Sequence, residues 1–260
     1  MFLACTEFEK QHHGTLLRVI HPLADFHRVF IRQAEIPVEQ PHQIIDGNAV
    51  VVDLDDDGKG WAEIEATHAI LHRNAEGGGT TGPLEVDKAW DAFTDDQLAL
   101  MDHLGIDQFR VLGFCIAGPM IWNLLKRAGD RVISAVLTHP SGYTSAFPDI
   151  YMRNALAGWA PTFLEQRPDI TLEQVEAFLD AMYTQRADFV FTVDRDFVRN
   201  CQTPILVLPD DIPAHPYATA METALLAPNA EVSLYPWKEN SRKIELARRH
   251  IRSFLKVNSA

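Results

Sequence analysis

The chain of 260 residues carries 36 acidic against 23 basic side chains, a formal net charge of −13, and 47% of it is hydrophobic. That balance suits a globular chain with a sizeable core and excludes the nucleic-acid and anionic-membrane partners that a basic surface recruits. No apolar run is long enough for a bilayer, and the N-terminal MFLACTEFEKQHHG lacks the basic start and apolar core of a signal peptide. The three well-separated cysteines, Cys5, Cys115 and Cys201, fit a reducing compartment, so a cytoplasmic protein is expected.

In residues 1–48, segments 16–20 and 29–31 are strand candidates, interrupted further on by Pro37 and Pro41. From residue 49 onward short apolar runs alternate with helical patterns, the signature of a parallel sheet with crossover helices. The expected strands are 49–54, 68–71, 110–112, 133–137, 203–208 and 231–235. The expected helices are 61–67, 95–104, 119–128, 218–226 and 244–255. Thr94 and Gln97 have the spacing of a capping box for the second of these, and Gly105 stands just past its end.

After the first strand the chain reads Asp53-Leu54-Asp55-Asp56-Asp57-Gly58, which resembles the opening of a Ca²⁺ loop with Asp53, Asp55 and Asp57 as ligands. The twelfth position is Ile64 rather than glutamate, so a solvated acidic turn is the stronger reading and no metal is expected. The Gly77-Gly78-Gly79 run lacks the spacing and the Lys-Ser/Thr of a phosphate loop and reads as a flexible turn.

Residues 143–200 break the alternation with mostly helical patterns at 148–166, 171–185 and 195–200; Thr171 and Gln174 form a second capping-box candidate. Tyr151, Trp159, Phe163, Phe178 and Tyr183 lie among them, either as helix-on-helix packing or as the lining of a lid. Residues 1–142 and 201–260 then form a core domain and 143–200 a helical cap.

The stretch 110–125 carries the most chemistry. Val111 and Leu112 close an apolar strand, Gly113 to Gly118 make a small-residue turn, and a helix opens around Pro119, tolerated in a first turn where its missing N–H has no partner. Such a turn lifts residue 115, a cysteine, clear of the sheet. It also aims the first free N–H groups of the helix at whatever binds there, where the helix dipole favours thiolate over thiol.

Four stretches in this order resemble an α/β-hydrolase: HRNAEGGGTTGP (72–83), DDQLALMDHLGIDQFRVLGFCIAG (95–118), AVLTHPSG (135–142), and TPILVLPDDIPAHP (203–216) with APNAEVSLYPW (227–237). The strand–turn–helix at Cys115 is similar to that fold's nucleophile elbow, in the cysteine form of dienelactone hydrolases. The resemblance implies a mostly parallel, doubly wound α/β sheet with a helical cap insertion. It implies Cys115 as nucleophile, with oxyanion donors at the Ile116 N–H and in the loop near Leu54. The acid would follow the strand ending at Leu208, with Asp211 preferred and Asp210 the alternative.

The family's histidine belongs in the loop after residues 235–237, where this chain has KENSRK. His215 is the favoured replacement, His139 the other candidate, and His250 lies late in the final helix. The implied activity is hydrolysis of an ester, lactone or thioester on a small acyl substrate, through an acyl-enzyme and without a cofactor. An acyltransferase, or a degenerate fold kept for binding, are the alternatives. A homo-oligomer is compatible with the sequence.

Overall fold

The computed structural model describes residues 2–3, 49–52, 63–64, 86–103 and 106–258. In chain order the elements are β1 (Phe2–Leu3), β2 (Ala49–Val52), β3 (Glu63–Ile64), α1 (Asp91–His103), β4 (Phe109–Phe114), α2 (Ala117–Ala128) and β5 (Val132–Thr138). There follow α3 (Ile150–Ala157), α4 (Trp159–Gln166), α5 (Leu172–Tyr183), α6 (Arg195–Asn200), β6 (Ile205–Leu208), α7 (Tyr217–Leu226), β7 (Ala230–Val232) and α8 (Ser241–Val257). The main sheet has the order β2-β4-β5-β6-β7, with β4 to β7 parallel and β2 antiparallel to β4. The mostly parallel α/β sheet expected from the sequence is the one found.

Period-two alternation sends the strand side chains to two separate cores. Val111, Ala135, Leu137, Ile205 and Val207 face one side and pack with α1, α2, α5 and α7. Leu112, Phe114, Val136, Leu206 and Leu208 face the other, against Ala247, Ile251, Phe254 and Leu255 of α8 and against Trp237. Helix α2 is buried from Ala117 to Leu125, as a helix held between a sheet and a further helix must be. Its one buried amide, Asn123, donates from Nδ2 to Asp91 Oδ1 and Thr94 Oγ1, both at 2.9 Å. Among the described residues no helix is long and apolar enough to cross a membrane.

Several elements depart from the sequence expectation. The helix expected over 61–67 contains instead the strand β3, which pairs Ile64 with Phe2 and Glu63 with Leu3; backbone pairing with a distant segment overrides the local pattern. Helix α1 starts at Asp91, so Thr94 lies inside it and accepts from Asn123 rather than capping. The single helix expected over 148–166 is broken at Gly158 (φ −95°, ψ −90°), where a Cβ would come within 2.8 Å of Asn154 O. The capping box at Thr171 and Gln174 is present with both bonds made. The strands expected at 16–20, 29–31 and 68–71 lie outside the described residues.

The elbow depends on close approach between α2 and the loop after β5. A Cβ added to Gly118 would stand 2.6 Å from Pro140 Cβ and 3.1 Å from Pro140 Cα. Gly118→Ala is therefore expected to cost about 1–3 kcal/mol, read as a lower midpoint in urea unfolding. A midpoint equal to wild type would show that this approach is not tight.

Candidate active site

The carboxyl ends of β4, β5 and β6 meet at one place, the edge at which open α/β sheets assemble their sites. Cys115 stands at the end of β4 with φ 55°, in the left-handed region. A non-glycine residue held there costs about 1–3 kcal/mol and persists only when its surroundings fix it. Three backbone bonds do so. The Cys115 N–H donates to Thr138 O (3.1 Å), and the Cys115 carbonyl accepts from Gly118 N (3.0 Å) and Ser141 N (2.9 Å). Burial of Ile121, Trp122 and Leu124, each fully enclosed, contributes about 1.5–3 kcal/mol per side chain and outweighs that strain.

The candidate base, His215, arrives from the loop after β6. In the segment Ile212-Pro213-Ala214-His215, the His215 N–H donates to Ile212 O at 2.9 Å and the Ile212 N–H returns to His215 O at 3.4 Å. Proline in the second position presets this tight turn, and the turn carries His215 back over Asp210. Nδ1 of His215 lies 3.2 Å from Asp210 Oδ2, which also accepts from Lys238 Nζ at 2.5 Å. Nε2 is buried with no hydrogen-bond partner; with Nδ1 on the carboxylate, it is the nitrogen left for Cys115.

The charges agree with this order. Burial pushes the Cys115 thiol up, but the adjacent His215, the Ser141 hydroxyl and the Ile116 N–H together hold it below its ordinary value. Burial pushes the His215 imidazolium down, yet the bonded Asp210 carboxylate and the adjacent Cys115 raise it to about 9. Burial also disfavours the Asp210 carboxylate, but His215 and Lys238 hold it well below the usual carboxylate range. The surroundings thus favour thiolate over thiol at Cys115 and imidazolium over imidazole at His215, next to an ionised Asp210.

Around the pair, Ser141 Oγ is 3.4 Å from Cys115 Sγ. His139 is buried, with φ 38°; its ring is stacked on Trp237 (5.7 Å, 12°) and lies 4.7 Å from the His215 ring, so it walls His215. Tyr151 and Tyr183 stack at 5.0 Å. Both phenols are raised, first by burial, and the Cys115 charge adds to each.

A family profile for the alpha/beta hydrolase fold matches residues 73–239. The chain belongs to this family. No curated protein matches it. Among solved structures, the meta-cleavage product hydrolase CumD from Pseudomonas fluorescens IP01 is similar at 16% identity, over 65% of this chain and 72% of that one, with a TM-score of 0.47. Rv0554 from Mycobacterium tuberculosis is similar at 20% identity, over 66% and 73%, with a TM-score of 0.46. Naproxen esterase from Bacillus subtilis is similar at 19% identity, over 64% and 66%, with a TM-score of 0.43.

Of the residues singled out in the sequence, Cys115, Ile116, Asp210 and His215 come together. Asp211, the preferred acid, is exposed, and Asp210 bonds His215 instead: Asp210 directly follows the buried β6–Pro209 segment, and the next residue turns outward. Lys238 occupies the loop after β7, where the family resemblance places histidine, and spends its charge on Asp210. His250 is engaged elsewhere, with Ser233 Oγ (3.2 Å) and Glu231 Oε2 (3.1 Å). Leu54 and the acidic turn of Asp53, Asp55 and Asp57 lie outside the described residues; among the described residues no cluster of metal-binding side chains occurs. Sequence reasoning missed Ser141 and Lys238, and marked Tyr151 only as one of five aromatics in 143–200. A serine beside glycine just past a strand's carboxyl end was the available signal for the first.

Exchange of the two neighbouring aspartates separates their roles. Asp210→Asn removes the carboxylate that favours the imidazolium, so the His215 pKa falls from about 9, as followed by NMR titration. Asp211→Asn leaves it in place. The opposite ranking would return the sequence preference for Asp211.

Proposed function

We propose that the protein is a cysteine-dependent hydrolase of esters, lactones or thioesters with small acyl groups. The observation that carries this reading is a strained cysteine at an elbow facing a histidine–carboxylate pair, with its thiol held low. Cys115 Sγ attacks the acyl carbonyl carbon, and the Ile116 N–H is aimed to stabilise the developing oxyanion. His215 Nε2–H gives its proton to the departing alkoxide or thiolate, leaving a thioester on Cys115 and a neutral imidazole. Neutral His215 then takes a proton from water as the water oxygen attacks the thioester. Collapse returns the Cys115 thiolate, releases the carboxylic acid and leaves His215 protonated. Asp210 fixes the tautomer, with Nδ1–H on the carboxylate and Nε2 toward the reaction.

Residues 143–200 serve as a helical cap, whose Tyr151 and Tyr183 lie near enough to Cys115 for its charge to raise both phenols. Trp90, Tyr151, Tyr183 and Phe191 form one cluster with ring separations of 5.0 to 6.3 Å. Such a wall suits an apolar acyl group and limits water.

The test is cleavage of p-nitrophenyl acetate. Cys115→Ala is expected to abolish it and His215→Ala to lower kcat by about 10²–10⁴-fold. The wild-type rate should be bell-shaped in pH. It falls at low pH as the thiolate is protonated, and on the alkaline side as His215 loses, near about 9, the proton it must deliver. Full activity in Cys115→Ala would end the reading. Product that shifts wholly to an added alcohol acceptor would make the protein an acyltransferase instead.

A further inference from the structure

One phenol touches both loops that hold the candidate catalytic pair. The Tyr151 hydroxyl, carried by α3, accepts from Gly142 N at 3.0 Å and faces two carbonyls, Gly142 O at 2.9 Å and Ala214 O. Gly142 follows Ser141, whose N–H clamps the Cys115 carbonyl and whose Oγ touches Cys115 Sγ. Ala214 precedes His215 inside the tight turn. The hydroxyl therefore joins the loop that braces the nucleophile to the loop that carries the base.

The ring has little freedom to let the oxygen wander. It stacks on Tyr183 (5.0 Å, 19°) and meets Phe191 edge-on (5.3 Å, 86°). Burial keeps the phenol neutral, so its one proton stays available to the carbonyls. A second tie between the same regions, Thr219 Oγ1 to Tyr143 O at 3.0 Å, lies further along both segments and reaches neither Ser141 nor His215.

We propose that the Tyr151 hydroxyl is the positioning group that sets the separation between Cys115 and His215, so that the cap helix holds the catalytic pair in register. This rests on the reading of Cys115 and His215 as that pair. The geometry supports it in preference to simple helix anchoring. A phenol that only anchored α3 would need a single loop carbonyl, whereas this one spans two loops, each adjacent to one member of the pair. A separation set by hydrogen bonds rather than by bulk is lost when the oxygen is removed and the ring kept.

Among the described residues, these groups bear on the titration. Cys115 faces His215, Ser141, the Ile116 N–H, Tyr151 and Tyr183. His215 faces Cys115, Asp210 and the His139 ring, and Asp210 in turn faces Lys238. Loosening the Ala214 tie weakens the coupling between sulfur and imidazole; the hydroxyl also faces Ser141, which itself helps to hold the thiol low.

The experiment is the pH dependence of iodoacetamide alkylation at Cys115 in wild type, Tyr151→Phe and Thr219→Val, each with its thermal midpoint. In Tyr151→Phe the thiol pKa is expected to rise by about one unit, seen as roughly tenfold slower alkylation below that pKa. Ester cleavage should lose kcat with KM little changed. Thr219→Val should keep the wild-type titration. A Tyr151→Phe titration that matches wild type, with or without a lowered midpoint, overturns the proposal and leaves Tyr151 an anchor of α3. An equal shift in Thr219→Val overturns it too, because general loop apposition would then set the pair. A wild-type thiol that titrates at the ordinary cysteine value removes the underlying reading of the site, and is told apart from either result by the wild-type curve alone.

Discussion

The contact on which the site depends is the one between Asp210 and His215, made within the single loop after β6. In the arrangement that the family resemblance implies, the acid and the histidine come from loops after different strands. Here Pro213 bends the chain so sharply that both come from the loop after β6. A pair set by one short turn needs little help from the rest of the chain to find its register. The vacated position after β7 is not idle, because Lys238 reaches the same carboxylate oxygen from there.

The energetics of the site are consistent at each level. Burial by itself would neutralise Cys115, His215 and Asp210 alike, and would leave a thiol, an imidazole and a carboxylic acid. Each is instead drawn toward its charged form by the next: carboxylate by lysine and imidazolium, imidazolium by carboxylate and sulfur, sulfur by imidazolium and helix start. The chain of charges fails if the elbow relaxes. The elbow is fixed by three backbone bonds and by a helix buried along most of its length, so the strain at Cys115 is held by packing far larger than itself.

Much of this was legible in the sequence, for identifiable reasons. The elbow was readable because its determinants are local: an apolar strand, a run of small residues and a proline in the first helical turn. The parallel strands were readable because period two is written in consecutive residues. The choice between Asp210 and Asp211 was not, since it depends on which of two adjacent residues faces inward as the strand ends. Tyr151 was visible only as one aromatic among several. Its proposed role rests on contacts with Gly142 and Ala214, the latter in the loop after β6, and no periodicity carries that. Strand β3 escaped for a similar reason, because its partner is at the other end of a long connection.

The central claim is that acyl groups pass through the sulfur of Cys115, and mass spectrometry of the protein quenched during turnover tests it most directly. With p-nitrophenyl acetate, the peptide containing Cys115 should carry one acetyl group, and the adduct should accumulate when His215 is replaced by glutamine, because the second half-reaction loses its base. Steady turnover with the Cys115 peptide unmodified in both proteins would contradict the account.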